Sequence, residues 1–349
     1  MANQEEKFVG CLLGAAIGNA LGMPLEGKTR EEIAALGPQR DFAAAEQTHS
    51  LLLPLAEIGE TEAGEPLGPG QWTSDTQLML ALAETLIEEG GLFVPEAWAH
   101  KLVRWVNEEP RAPGLSTLQA ALQLRTGAVI WEEAADPEGA GCGPAARVAP
   151  IGLFYSQNAD LRRYGAITQA QVTHGHPDAR AAALVLAEAV ALALPTSPAE
   201  LPAGSPEGFL GTLADIALEE SPAFAEFARC LKLAQTLLAD NVETETAIRV
   251  LGVSGWAREA VPSALYCVAR TPADFEAILY HAVNLTGGAA ASIAAMAGAV
   301  AGALHGVTAI PERWRDGVED APRIEAIARV LFAAAQNGLQ PDGNRREDG

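Results

Sequence analysis

Positive charge is scarce in this 349-residue chain: 23 Lys and Arg stand against 45 Asp and Glu, a formal net charge of −22. Such a surface repels nucleic-acid phosphates and anionic membrane headgroups, so neither is an expected partner. Cysteine is scarce too. Cys11, Cys142, Cys230 and Cys267 lie far apart with no Cys-x-x-Cys pair, which argues against a zinc module and a secreted disulfide framework and predicts reduced, mostly buried thiols. The apolar run from Phe8 lacks the basic flank of a secretory signal and reads as a first core helix. A cytoplasmic protein is the expectation. No period-two alternation is long enough for a strand, and no internal repeat is found. What remains is an all-α chain: a single compact multi-helix domain over residues 1–336, long enough to bury an extensive core, and a disordered polar tail over 337–349.

Glycine and alanine are abundant and patterned. Gly10, Gly14, Gly18 and Gly22 recur every fourth residue near the start, and Gly298, Gly302 and Gly306 do so near the end. Residues so spaced share one helix face. Two such stripes predict helices at opposite ends of the chain packed with their backbones close together. The second helix opens at Gly287-Gly288-Ala289-Ala290-Ala291-Ser292 and runs to about Gly306, with no acid in its first turn to complement the dipole. Its length from Ala289 to Ile310 is enough to span a bilayer, but the Ala/Gly content and His305 favour a buried soluble helix.

Between these ends, Gly22 to Gly27 breaks the first helix and leaves Glu26 on a turn. Residues 38–70 read as a long surface loop or lid with a short helix. Thr73-Ser74-Asp75 reads as the N-cap of a helix that stops at Gly90-Gly91. Helical patterns follow at 95–107 and 115–126, then a Gly-rich loop from Asp136 to Gly152 carrying Arg147. Such a loop can offer N–H groups and a guanidinium to a phosphate, though most merely turn the chain. Thr173-His174-Gly175-His176-Pro177 opens the next helix. With no third His or Cys ligand nearby, capping or hydrogen bonding outweighs metal binding for this His pair. Pro195 to Pro206 is a connector, and helical patterns at 207–220, 222–239, 243–251, 258–270, 273–285 and 318–337 complete the chain.

Together these segments resemble the ADP-ribosylglycohydrolase family over nearly the whole chain. Gly10-Cys-Leu-Leu-Gly14-Ala-Ala-Ile-Gly18-Asn19-Ala-Leu-Gly22-Met-Pro24-Leu-Glu26 looks like its opening motif, and Gly70-Gln-Trp-Thr73-Ser74-Asp75-Thr76 like its first metal motif. Gly141-Cys-Gly143-Pro-Ala-Ala-Arg147, Thr173-His174-Gly-His176-Pro177, Val261-Pro262-Ser-Ala264-Leu-Tyr266 and the run from Asn284 to Trp314 match later motifs in order. The resemblance implies hydrolysis of an ADP-ribosyl-type bond by two Mg²⁺ or Mn²⁺ ions, which need several carboxylate oxygens.

The chain departs from that pattern where the metals would sit. Ser74 stands for the first Asp of the early motif, Ala289 and Ala291 for two Asp of the late one, Asn19 for the opening Asp, and Cys142 for a common Asn. Thr73, Asp75 and Ser292 remain as metal ligands, enough for at most one weakly held Mg²⁺, with Glu26 as a neighbour. The resemblance then assigns catalysis to Asp75 and Glu26, and substrate binding to Asn19, Gly141, Gly143, Arg147, Gly287, Gly288 and Ser292. With the acids gone, the start of the late helix is expected to favour an anion. The expected ligand is a small-molecule or protein-linked ADP-ribosyl-type group, hydrolysed with one metal or none. The alternative is a catalytically inactive nucleotide-binding or structural relative.

Overall fold

The computed structural model describes residues 2–43, 67–201 and 208–338, and every regular element among them is helical. The first third holds α1 (Gln4–Gly22), α2 (Arg30–Leu36), α3 (Ser74–Glu88), α4 (Pro95–Asn107) and α5 (Leu115–Arg125). The middle holds α6 (Gly143–Ala146), α7 (Ala149–Phe154), α8 (Ala159–Gln171), α9 (Pro177–Ala193), α10 (Phe209–Glu220) and α11 (Ala225–Ala239). The last third holds α12 (Thr244–Leu251), α13 (Ala257–Arg270), α14 (Phe275–Asn284), α15 (Ala290–His305), α16 (Glu312–Gly317) and α17 (Ala321–Gly338). One continuous hydrophobic core joins them into a single domain.

The centre of the fold is the antiparallel pair α1 and α15. A Cβ placed on Gly302 would lie 1.9 Å from the Gly10 carbonyl oxygen, one on Gly298 would lie 2.1 Å from that of Gly14, and one on Gly18 would lie 2.0 Å from that of Ala294. Only glycine permits this approach, so the two stripes pack as their spacing predicts. The stretch Gln4–Leu25 is long and apolar enough to cross a membrane, yet its apolar part is buried inside the protein. The Phe8 ring meets Phe332 of α17 edge-on at 5.2 Å. Lys7 donates to the carbonyls of Leu194 and Thr196 at 2.7 and 2.9 Å, satisfying the orphaned C-terminal end of α9.

Antiparallel packing sets the start of α15 beside the end of α1, as a Cβ on Gly22 would lie 2.3 Å from the Ala290 oxygen. The buried turn Met23–Leu25 therefore delivers Glu26 to the N-terminus of α15. Two backbone bonds hold it there: Gly27 N–H donates to Gly288 O at 2.7 Å, and Gly288 N–H to Lys28 O at 3.3 Å.

Four helices differ from the sequence reading. The expected loop 136–152 folds after Cys142 into α6 and α7. Helix α8 has no apolar stripe because its buried face carries Arg162, Thr168 and Gln169, with Arg162 donating to Glu188 at 2.8 Å. The short α16 is carried by one buried aromatic, Trp314. Most of the expected lid, residues 44–66, lies outside the described residues, as do 202–207 of the connector and 339–349 of the expected tail. Helix α17 extends to Gly338, two residues into that tail. All four cysteines are free thiols, with Cys230 alone partly exposed.

Candidate functional site

Helices α3 and α15 point their N-termini at a common cavity of about 300 Å³. Thr73 caps α3, its Oγ1 accepting from Asp75 N–H at 3.4 Å. Asn19 of α1 fixes that cap, accepting from Thr73 N–H at 2.6 Å and from Thr76 Oγ1 at 3.2 Å, and donating to Thr73 Oγ1 at 3.0 Å. Asp75, in the first turn of α3, accepts from the Ser292 hydroxyl of α15 at 2.6 Å. Glu26 Oε2 accepts from Ala291 N–H at 2.7 Å. Each helix end thus carries one carboxyl, in the position where a helix dipole favours it.

The start of α15 is therefore not bare. No acid of its own first turn caps it, but Glu26 does so from a distant part of the chain. The helix end expected to be bare thus has a carboxyl on one of its N–H groups, and the turn residue Glu26 has a structural partner. Gly287 and Gly288 do not line the cavity. Their positive φ values, 49° and 41°, shape the turn into α15, with no room for a Cβ against Lys28 O and Val253 O. Asn19 also stands behind the cavity wall, wholly buried.

Arg147 was expected on a phosphate-binding loop. It is instead the most buried cation of the site, with none of its surface exposed. Its Nε donates to Gln169 Oε1 at 2.8 Å and its Nη2 to Thr173 Oγ1 at 2.7 Å, and the guanidinium lies 5.3 Å from the Trp98 ring centroid. It backs the cavity wall, with one guanidinium edge facing Thr117 Oγ1 at 3.4 Å. Gly141, Gly143 and His174 line the same wall. His176 caps α9, its Nδ1 accepting from Asp178 N–H at 3.1 Å, and His174 Nδ1 lies 2.8 Å from Thr173 Oγ1.

The titrating groups divide the cavity. Burial pushes the Glu26 carboxyl up to about 8, against the Ala291 N–H bond and reinforced by the Asp75 charge. Burial also raises Asp75, but the Ser292 hydroxyl and the Arg147 charge oppose the rise. The Arg147 charge acts on Asp75, whereas the charge that acts on Glu26 is that of Asp75. Burial lowers Arg147 to about 9, which leaves it charged at neutral pH, and burial with that charge lowers His174 to about 3, which leaves it neutral.

The residues present do not fit a pair of divalent ions. One oxygen of Asp75 is taken by Ser292 and one of Glu26 by Ala291 N–H, and the Thr73 hydroxyl is shared with Asn19 and Asp75 N–H. Ser74 spends its N–H on Arg111 O at 2.7 Å and points its hydroxyl at Ala112 O, 3.4 Å away. Ala291 packs with Met23 and Leu67 in a small apolar cluster of its own. Two carboxyl oxygens remain for coordination, too few to neutralise four positive charges.

Two helix N-termini and a glycine loop enclosing one ligand cavity define an all-α class of cleft protein. A family model described as ADP-ribosylglycohydrolase matches residues 1–340, and the chain belongs to the ADP-ribosylglycohydrolase family. It is 37% identical over 340 residues to an uncharacterised protein of Archaeoglobus fulgidus, covering 94% of this chain and 96% of that one. It is 29% identical to the ADP-ribosylarginine hydrolase Tri1 of Pseudomonas putida, covering 95% and 79%. It is 28% identical to the ADP-ribosylhydrolase ARH3 of Bos taurus, covering 97% and 95%. A solved structure described as an ADP-ribosylglycohydrolase-related protein complex matches with TM-score 0.69 and 29% identity, covering 95% of this chain and 99% of the other.

Proposed function

We propose that this chain binds an ADP-ribosyl-type ligand in the α3–α15 cavity and hydrolyses its N-glycosidic bond by carboxyl acid–base chemistry, with at most one weakly held Mg²⁺. The observation that carries the reading is the asymmetry of the two carboxyls. Asp75 is opposed in its rise by Ser292 and Arg147, whereas Glu26 stands near 8 with no cation to lower it. Two carboxyls with different partners at one cavity, Asp75 on the Ser292 hydroxyl and Glu26 on Ala291 N–H, can divide the labour of glycoside cleavage. Asp75 takes a proton from the attacking water, with Ser292 orienting its carboxylate. Glu26, neutral at pH 7, donates a proton to the departing nitrogen. The new C–O bond replaces the C–N bond, and the proton that Asp75 gains returns to Glu26 through solvent. Gly141 and Gly143 contribute a wall without side chains for the ligand's phosphates.

A second reading, binding without turnover, draws on Ala291, whose packing with Met23 and Leu67 places an apolar contact at a position the family gives to a metal ligand. Incubation with ADP-ribosylated arginine and serine peptides, with and without EDTA, decides between the two. EDTA-resistant release of ADP-ribose that falls on Asp75→Asn and on Glu26→Gln is the expected result. ADP-ribose binding by calorimetry with no release from either peptide gives the second reading, and neither binding nor release would overturn both.

A further inference from the structure

We infer that Arg147, acting through Thr173, fixes the tautomer of His174 so that the neutral imidazole presents Nε2–H, a hydrogen-bond donor, to an oxygen of the bound ligand. Only the ligand's identity rests on the proposed function; the tautomer rests on the geometry. The relay runs in one direction because its first member can only donate. Arg147 Nη2 donates to Thr173 Oγ1 at 2.7 Å, so that oxygen is an acceptor there. The Thr173 hydroxyl then has its own proton to place. It has two acceptors in reach, His174 Nδ1 at 2.8 Å and Ala170 O at 3.4 Å. The nearer accepts the stronger bond, and polarisation of the hydroxyl by the guanidinium strengthens it further.

In the opposite arrangement, Nδ1–H would donate to Thr173 and send the hydroxyl proton to the more distant Ala170 carbonyl. It would also turn the positive end of the N–H dipole toward a buried cation, where a lone pair is favoured. Nδ1 is therefore the bare nitrogen, and Nε2 carries the proton.

Nε2 has no hydrogen-bond partner among the described residues, although His174 is only 3% exposed. It faces the cavity beside Gly141 and Gly143, and a Cβ on Gly141 would lie 3.1 Å from it. Glycine leaves this nitrogen open to a ligand. A nitrogen that carries its proton neither ligates a metal nor acts as a base. His174 is thus a fixed donor, with Thr173 and Arg147 as positioning residues behind it.

The test uses the full chain labelled with ¹⁵N-histidine. A long-range ¹H–¹⁵N spectrum at neutral pH, with the His174 signals assigned by their loss in His174→Gln, should show the proton on Nε2. A proton on Nδ1 would overturn the inference, and the wild-type spectrum decides this whether or not any variant folds. Thr173→Val should mix the tautomers, while Thr173→Ser, which keeps the hydroxyl, should restore the wild-type pattern. A merely structural threonine would leave the ring signals unchanged. In calorimetry with ADP-ribose, Thr173→Val should weaken binding about five-fold, and Thr173→Ser should bind as the wild type does. Equal affinity for wild type and Thr173→Val would refute the role of the relay in binding. A wild-type chain with the Nε2–H tautomer that binds no ADP-ribose would sink the proposed ligand and leave the tautomer standing.

Discussion

Glu26→Gln should flatten the pH dependence of stability. In the folded protein the Glu26 carboxyl is pushed by burial and by the Asp75 charge from 4.5 to about 8. The unfolded chain releases that proton near the ordinary glutamate value, so between the two the folded state holds a proton the unfolded state has lost. Stability must then fall as pH rises: the contribution is fully present below about 4.5 and is lost as pH passes through about 8. In a sealed interior this window would be worth up to ~5 kcal/mol, at ~1.4 kcal/mol for each pH unit. Glu26 is partly exposed, so solvent screening reduces the expected loss to ~2 kcal/mol. Glutamine does not titrate, yet its carbonyl oxygen still accepts from Ala291 N–H, which preserves the cap on α15. Urea unfolding in EDTA from about pH 5 to about pH 9 gives both curves. The wild type should lose ~2 kcal/mol relative to Glu26→Gln across that range, with the difference concentrated below pH ~8. Parallel curves would show that the carboxyl is as acidic in the fold as in water, and the acid role of Glu26 would fall with it.

Three further outcomes follow from the same geometry. Gly18→Ala would set a methyl 2.0 Å from the Ala294 oxygen, so thermal melting should report a loss of ~1–3 kcal/mol; an unchanged melting temperature would mean that α1 and α15 are not in backbone contact. Calorimetric titration with Mg²⁺ should find no pair of tight sites in the wild type, and the triple change Ser74→Asp, Ala289→Asp, Ala291→Asp should introduce metal binding. Tight binding of two ions by the wild type would contradict the donor count at Asp75 and Glu26. Arg147→Met should cost several kcal/mol, because it orphans the buried Gln169 and Thr173 oxygens; Arg147→Lys should recover little of this, since an ammonium cannot reproduce the guanidinium fork. Chemical denaturation measures both, and full recovery by lysine would show that charge alone matters there.

What the sequence made legible was local or periodic. The glycine stripes declare their faces by spacing alone, the Thr73 cap lies in one short segment, and six motifs in order carry the family. The site was harder to read because its defining bonds are long-range. Glu26 meets Ala291 across 265 positions and Asp75 meets Ser292 across 217, and no pattern within either segment announces the partner. Arg147 was hard to place for a different reason. Glycines around it resemble a phosphate-binding loop, but α8 supplies Gln169 and α9 is preceded by Thr173, and together they draw the guanidinium into the interior. The polar buried face that hid α8 from a hydrophobic reading is the same face that buries Arg147.

Erosion of a metal site predicts a particular kind of damage: carboxylates left without counter-charge, hydroxyls without acceptors and a cavity lined by unpaired atoms. The acids and hydroxyls of the α3–α15 cleft are instead paired, while His174 Nε2 stands open to the cavity. Asp75 has Ser292, Glu26 has Ala291 N–H, Thr73 has Asn19, and Ala291 has Met23 and Leu67. Among the described residues, fully buried side-chain atoms with no hydrogen bond include His281 Nδ1 and Thr271 Oγ1, neither of which lines the cavity. Desolvating a carboxyl costs stability unless a hydrogen bond offsets it, and Glu26 and Asp75 are only partly exposed. Both acids are individually hydrogen-bonded, in a cavity with enough room for a ligand beside them. That combination is what the proposed pair of acids requires.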